Sequence, residues 1–389
     1  MSEASLVPLG EVAEFVNGAA FKPTDWEEFG RPIIRIQNLT DSTRPYNRTT
    51  RVVSPKLLVQ PGDLLVSWSA TLGVFDWSGS EEAVLNQHIF RVLPDGSRID
   101  KSYLRHVLSG ALVEMTRHLH GATMQHVNRS EFLGTPIRLP LLEEQRRIAE
   151  VLDRADALRA KRGEALALLD DLTQSIFLAL FGPARDRRRW SIATLGELLA
   201  GIDSGKSPVC LSRQANDGEW GVLKLGAVSR RRYLPEQNKA LPEGVKPAVG
   251  DEVKADDLLM ARKNTLDLVG ACALVGSTPP RLLLPDLIFR LRLRDQVPVR
   301  KRYLHRALCQ DDVRAQIRSL AGGSAGSMPN ISKARLSTVR LLIPPTELQD
   351  AFGARVELVE EEKAMQSLHL DQIDALFWSL QQRAFAGEL

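Results

Sequence analysis

The chain has 389 residues, 43% of them hydrophobic and 25% charged, with a formal net charge of +3. That is the balance of a soluble globular protein too long for one ordinary core, and the mild positive charge selects no partner by itself. There is no apolar run of the roughly eighteen residues that span a membrane, and no basic-then-apolar start. Cys210, Cys272 and Cys309 stand isolated, so the expectation is a cytoplasmic chain without disulfide frame or zinc site.

Taken in order, the chain is written twice. "PLGEV" (Pro8–Val12) returns as "TLGEL" (Thr194–Leu198), and "IIRIQNL" (Ile33–Leu39) as "VLKLGAV" (Val222–Val228). "PGDLLVSWSATLG" (Pro61–Gly73) returns as "ADDLLMARKNTLDLVG" (Ala255–Gly270), "HIFRV" (His88–Val92) as "LIFRL" (Leu287–Leu291), and "YLRHVL" (Tyr103–Leu108) as "YLHRAL" (Tyr303–Leu308). The tightest match is gapless: "VNRSEFLGTPIRLPLLEEQ" (Val127–Gln145) on "ISKARLSTVRLLIPPTELQ" (Ile331–Gln349). Such a repeat has to be recognised first, because it decides the architecture.

Each half opens with short alternating apolar runs separated by Gly, Pro, Asn and Asp, with a helix near the end, which predicts a β-rich domain. Each then continues into a proline-free helical segment. In the first, Ile148, Leu152, Ala155, Leu166, Leu169, Ile176 and Leu180 form a heptad seam. In the second, Phe352, Val356, Val359, Leu370, Ile373, Phe377 and Leu380 do the same. Such seams want a partner helix. Polar residues interrupt them at Arg159, Arg162, Lys363 and Gln366, either as solvated stems or as a register device. The expected fold is α+β: two β-rich domains separated by two long helices paired as an antiparallel coiled coil, with a pseudo-twofold internal repeat. The boundaries expected are 1–142, 143–182, 183–346 and 347–389. Paired rods would hold two domains tens of ångströms apart, and successive grooves of B-DNA repeat about every 34–36 Å.

These features resemble the specificity subunit of type I restriction–modification systems. The resemblance is carried by Leu139-Pro140 with Glu143, Glu144, Gln145 and Ile148, by "FLALFG" (Phe177–Gly182), and by "PGDLLVS". In the second half it is carried by Ile343-Pro344-Pro345 with Glu347 and Gln349, and by "QQRAFAGEL" (Gln381–Leu389). It implies two target-recognition domains that each read half of a split, asymmetric sequence in double-stranded DNA, and two spacer helices that dock two adenine-N6 methyltransferase subunits. It also implies restriction and translocase subunits as partners, and places S-adenosylmethionine, ATP and Mg on partner chains, with no cofactor in this one. The docking residues it implies are Glu143, Glu144, Gln145, Ile148, Glu347, Gln349 and Phe352. The second half departs from the pattern in "PPTELQDAF", where Leu348 takes the place of Glu144.

Reading DNA takes cations and small polar groups on phosphates, and Arg, Lys, Asn and Gln on base edges. The first domain offers Lys22, Arg35, Gln37, Asn38, Arg44, Tyr46, Arg48, Arg51, Trp68, Gln87 and His88. The second offers Lys206, Arg213, Lys224, the run Arg230, Arg231, Arg232, Tyr233, and the triplet Arg262, Lys263, Asn264. The triplet aligns with Trp68-Ser69-Ala70, as a variable reading loop would. "HGATMQHVN" and "GGSAGSMPN" parallel each other and add His126 and Asn330. For each residue a solvated surface role stands beside DNA contact.

Catalysis needs a constellation, and the motifs fall short of one. "TPPR" and "IPPT" lack the acid or amide and the aromatic residue of an adenine methyltransferase motif. "EVK" (Glu252–Lys254) has no Pro-Asp partner at nuclease spacing, and His118, His120 and His126 have no companion ligands at metal spacing. "GIDSGKS" (Gly201–Ser207) is one residue short of the phosphate-loop spacing, and Pro208 opposes the helix such a loop must open. The functions weighed are therefore a non-catalytic DNA-recognition subunit, a related methylation-based phage-defence subunit, a nuclease or nucleotidase, and a coiled-coil adaptor.

Overall fold

A computed structural model describes residues 5–41, 43–118, 128–182, 190–322 and 328–389. The chain divides into two compact units: Met1–Leu166 with Met365–Leu389, and Ala167–Ala364.

In the first unit, one sheet runs in the order Ala13–Asn17, Ile89–Pro94, Leu64–Ser67, Gly73–Asp76, and a second in the order Arg48–Thr49, Arg31–Ile34, Ala83–Leu85, Leu58–Val59. Within the second sheet Ile33 and Ile34 pair in parallel with Val84 and Leu85. Leu64–Ser67 reads as an unbroken apolar run because both its faces are covered. Leu64 and Val66 belong to the core shared with the helices, and Leu65 to the cluster around Trp77.

The second unit repeats this order but for one edge strand. Leu199–Ser204, Ile288–Leu293, Leu258–Ala261 and Cys272–Leu274 form one sheet, and Asn238–Ala240, Gly221–Leu223 and Leu282–Leu283 the other. Leu258 and Met260 face one core, and Leu259 and Ala261 the other. Gly221 and Val222 again pair in parallel, with Leu282 and Leu283. The strand equivalent to Leu58–Val59 shrinks to a single bridge, Glu252 to Leu283. Glu252 of "EVK" therefore sits at a sheet edge, where its carboxylate accepts the Arg281 backbone N–H at 2.7 Å.

In each unit the first and last strands pair antiparallel: Ser5–Pro8 with Pro136–Leu139, and Ser191–Thr194 with Arg340–Ile343. This ribbon returns the chain to its origin just before a long helix begins. The central helix is Leu142–Phe181, 40 residues, and the terminal helix Thr346–Ala386, 41 residues. At 1.5 Å per residue each is about 60 Å long.

Within each unit the two helices run antiparallel. In the first, Ile148, Leu152 and Ala155 share a core with Phe377 and Ala384, and Arg147 donates to the Leu389 carbonyl at 2.7 Å. In the second, Phe177 and Phe181 each lie 5.6 Å from Phe352. The expected seam holds at Ile148, Leu152, Ala155, Phe352, Val359 and Phe377. At its far end in the central helix, Phe177 and Phe181 are buried, whereas Ile176 and Leu180, each one residue earlier, are half-buried against that core. The larger aromatic rings win the interior because they bury more apolar area.

The polar interruption is both solvated and paired across the helices. Arg159 bonds Asp374 as well as Asp156 on its own helix, and Arg162 bonds Gln366. Lys363 reaches Asp170 at 2.8 Å and Glu360 at 2.9 Å. Arg159 and Lys363 are repeat equivalents, and so are Asp374 and Asp170. The same cross-helix ion pair is thus made once in each unit.

Candidate nucleic-acid interface

The reading residues expected in the first unit separate by what holds them. Asn38 is 4% exposed, and both ends of its amide serve backbone. Its Oδ1 accepts the Arg35 N–H at 3.2 Å, and its Nδ2 donates to the Arg44 and Pro45 carbonyls at 3.2 and 3.3 Å. It closes the short helix Ile36–Thr40 and has nothing left for a base. Arg48 is neutralised by Glu81 at 2.6 Å and also donates to the Gly30 carbonyl, while Arg44 pairs with Asp41 at 3.2 Å in an exposed contact. Arg51 lies over Phe21 and donates to the Ala20 carbonyl at 2.9 Å. Tyr46 meets Trp77 edge-on at 5.9 Å. Lys22 and Gln37 are exposed, and Arg35 stands over the Trp26 ring at 5.2 Å. Trp68, Gln87 and His88 cluster: Trp68 lies 5.4 Å from His88 and stacks on Phe90 at 5.7 Å. His126 lies outside the described residues.

In the second unit Arg213 forks onto Glu219 at 2.6 and 2.8 Å, holding that carboxyl down to about 2 through its hydrogen bonds. Asn264 is 6% exposed, donates to Ser229 Oγ at 3.0 Å and accepts the Thr265 N–H, a structural use of both amide ends. Tyr233 is half-buried with its hydroxyl 2.7 Å from Thr278 Oγ1, and burial raises its pKa. Arg230 and Arg232 are exposed. Arg231 between them has φ 60°, a left-handed conformation costly for a side-chain-bearing residue, and its guanidinium reaches the Cys309 carbonyl at 3.4 Å. Lys206 is exposed and Lys224 half-buried. Arg262, Lys263 and Asn330 come together: Arg262 Nε donates to Asn330 Oδ1 at 3.1 Å, and Lys263 and Asn330 form a backbone bridge.

Two cations missing from the sequence-based set belong beside these clusters. Arg129 lies 5.5 Å over the Phe90 ring, and Lys333 lies 6.0 Å over the Phe289 ring. They align in the gapless part of the repeat, where a cation is kept in both halves, and that was the signal available. A neutral residue, Asn17, was missed as well; it accepts Trp68 Nε1–H at 3.3 Å.

Against known proteins, residues 1–167 match the family described as the type I restriction modification DNA specificity domain. The specificity subunit of the EcoEI type I restriction enzyme of Escherichia coli is 30% identical over 196 residues, 48% of this chain and 33% of that one. The chain therefore spans about a third of that relative's length. The StySPI specificity subunit of Salmonella potsdam is 23% identical over 98% of this chain and 88% of its own. The N-terminal 167 residues thus carry a type I specificity domain, and the likeness to type I specificity subunits extends at lower identity along nearly the whole chain. The crystal structure of the S subunit of a type I system from M. genitalium shares the fold, with TM-score 0.55 at 14% identity over 99% of this chain and 97% of that one.

The residues that the family resemblance assigned to docking are mostly interior. Gln145 and Gln349 are each 0% exposed. Gln145 accepts the Asp100 N–H at 2.8 Å and donates to the Arg98 and Pro140 carbonyls at 3.0 and 2.8 Å. Gln349 accepts the Arg300 N–H at 2.8 Å and donates to the Pro298 and Pro344 carbonyls at 2.9 and 2.7 Å. Ile148 and Phe352 are core residues at 2% and 1%. These four have no surface to offer a partner. Each glutamine is a staple that ties the start of a long helix to its own unit, which explains its place in a specificity-subunit pattern. Glu143 and Glu347 are exposed, and Glu144 pairs with Arg138 at 3.2 Å.

The Gly-Lys-Ser of this chain is architectural. Its glycine, Gly205, follows the strand Leu199–Ser204, and a Cβ there would collide with the Leu284 carbonyl oxygen. Gly18, the repeat equivalent, meets the Asn86 carbonyl in the same way. The loop after Lys206 opens no helix, and Ser207 Oγ bonds Asp286. Among the described residues no group of three His, Cys, Asp or Glu is arranged to hold a metal, and no helix is long and apolar enough to cross a membrane.

Proposed function

We propose that this chain is the non-catalytic, DNA-reading subunit of a type I restriction–modification assembly that acts in the cytoplasm. Residues 1–142 and 183–346 each read one half of a bipartite, asymmetric target, and the helical segments 143–182 and 347–389 set the gap and dock two adenine-N6 methyltransferase subunits. The observation that carries this reading is the duplication itself. One sheet order occurs twice, yet the side chains at equivalent loop positions differ: Trp68-Ser69-Ala70 against Arg262-Lys263-Asn264. Two reading heads on one plan, carrying different chemistry, suit a target whose halves differ. S-adenosylmethionine, ATP and Mg belong to the partner chains, which include restriction and translocase subunits.

Burial moves the docking surface along the helices. Leu158, Leu168, Leu172, Leu368 and Leu376 are 44–68% exposed on the long helices, an apolar display that wants covering. The test is co-purification with the methyltransferase subunit, followed by selection of bound DNA from a random pool. Two enriched sequence blocks at one fixed separation are expected. Leu172→Glu and Leu368→Glu should lose the methyltransferase while the chain melts as before. Unselective binding, or turnover of DNA or ATP by the chain alone, would instead favour an adaptor or an enzyme.

A further inference from the structure

The two units share a frame at one place and differ in what stands on it. Phe90 and Phe289 occupy equivalent strand positions, and each carries a cation over its ring, Arg129 at 5.5 Å and Lys333 at 6.0 Å. On the same ring stands a second side chain from the loop after the neighbouring strand. In the first unit it is Trp68, stacked at 5.7 Å with 27° between planes, and in the second it is Arg262, whose guanidinium lies 5.5 Å from the centroid.

We propose that this ring-borne position determines the specificity of each unit, with Arg262 reading a guanine edge in one half-site and Trp68 an apolar base surface in the other. The proposal rests on the DNA-reading function proposed above. Arg262 is oriented without being neutralised. Its Nε donates to Asn330 Oδ1 at 3.1 Å and its Nη1 reaches the Asp286 carbonyl at 3.5 Å, and among the described residues Nη2 has no hydrogen-bond partner. The two contacts fix the plane of the guanidinium and leave Nη2 donors that can meet the O6 and N7 acceptors of guanine. Arg48 and Arg213, by contrast, already spend their forks on Glu81 and Glu219.

Trp68 reads differently because indole has one donor, and Nε1 gives it to Asn17 Oδ1. The ring itself, half-buried against Phe90 and His88, presents apolar surface of the kind that suits a thymine methyl or a base face. Beside it, Gln87 Oε1 and His88 Nδ1 are buried and have no hydrogen-bond partner among the described residues. Unpaired buried polar atoms are uncommon in folded proteins and call for a use. In the second unit the equivalent turn is satisfied, with Asp286 bonded by Ser207.

The experiment is an adenine-methylation map of the whole complex, the full chain co-expressed with its methyltransferase subunit, for wild type and single variants. Arg262→Gln should replace or relax one guanine in one half-site, with the original motif marked about 10- to 100-fold less efficiently. Arg262→Lys, which keeps the charge and loses the fork, should fall between and carries the test if the glutamine variant does not fold. Trp68→Ala should alter the other half-site alone, and Trp68→Phe should soften the preference without abolishing it. Uniform loss of methylation with an unchanged motif would make Arg262 a phosphate contact or a structural residue and overturn the proposal. So would a half-site read by the second unit that contains no guanine. A wild-type complex that marks no bipartite motif refutes the DNA-reading function itself, a separate failure from these.

Discussion

In both units a tyrosine and leucine open a helix that packs on a long helix, and Tyr103 and Tyr303 each donate to a carbonyl of the last strand at 2.8 Å. Two residues further on, the pair reads Arg105-His106 in the first unit and His305-Arg306 in the second. In the first, His106 is 2% exposed with Nε2 2.7 Å from Asp153, and Arg105 spans Asp153 at 2.7 Å and Asp156 at 3.2 Å. In the second, His305 sits 3.1 Å from the Cys272 carbonyl, while Arg306 bonds Gln174 and keeps a buried Nε without a hydrogen-bond partner among the described residues. At this helix the tyrosine's backbone contact repeats, while the partners of the Arg and His beside it diverge. Backbone geometry is imposed by the fold and leaves one solution, whereas side chains meeting a helix face have several of similar free energy.

The largest effect expected from that comparison falls on the glutamine staples. Gln145→Ala and Gln349→Ala each strand buried backbone groups, at about 1–3 kcal/mol for every group left unpaired. Hydrogen exchange should show each variant loosening its own unit, by similar amounts. Unequal losses would break the claim that the two staples are the same device.

Next come the cross-helix pairs. Reversing one charge, by Arg159→Asp or Lys363→Asp, should cost about 1 kcal/mol or less, because partly exposed ion pairs are screened. Arg159→Asp with Asp374→Arg should recover most of it. The Lys363 pair should matter less, since Asp170 is 59% exposed against 38% for Asp374. Urea unfolding of the three variants orders them.

A smaller, pH-dependent effect belongs to His106. Burial pushes its pKa down, against the pull of the Asp153 hydrogen bond, while Arg105 opposes its protonation. A histidine with a lowered folded-state pKa adds stability above its unfolded value of about 6.5 and loses it as pH falls through and below that value. Burial alone would raise Asp153, but hydrogen bonds from Ser102, Arg105 and His106 outweigh it and lower the pKa, so acid acts in the same direction there. The first unit should therefore lose protection on acidification from pH 8 to 5.5, and His106→Gln should flatten the slope. At the low end, Arg213→Ala removes only a surface pair and should leave the melting temperature nearly unchanged.

The duplication, the β-rich and helical segments and the antiparallel seam were legible in the sequence because period, punctuation and repeat each leave a local trace. The roles of individual polar residues were not. Asn38, Asn264, Gln145 and Gln349 look like readers or docking groups by type, yet all are buried, three as backbone partners and Asn264 between the Thr265 N–H and Ser229 Oγ. Amides suit both tasks, and only burial separates them. Phe177 displaced Ile176 from the seam for a related reason, since heptad spacing cannot say which neighbour reaches the core. Arg129 and Lys333 were visible only as a cation retained between the halves.

The most direct test is the adenine-methylation footprint of a cell that expresses the chain with its methyltransferase subunit, read by single-molecule sequencing. One bipartite, asymmetric motif with a fixed gap is predicted, and residues inserted into the central helix should change the gap and leave both half-sites intact. A single uninterrupted motif, scattered methylation, or an insertion that rewrites a half-site would contradict the account.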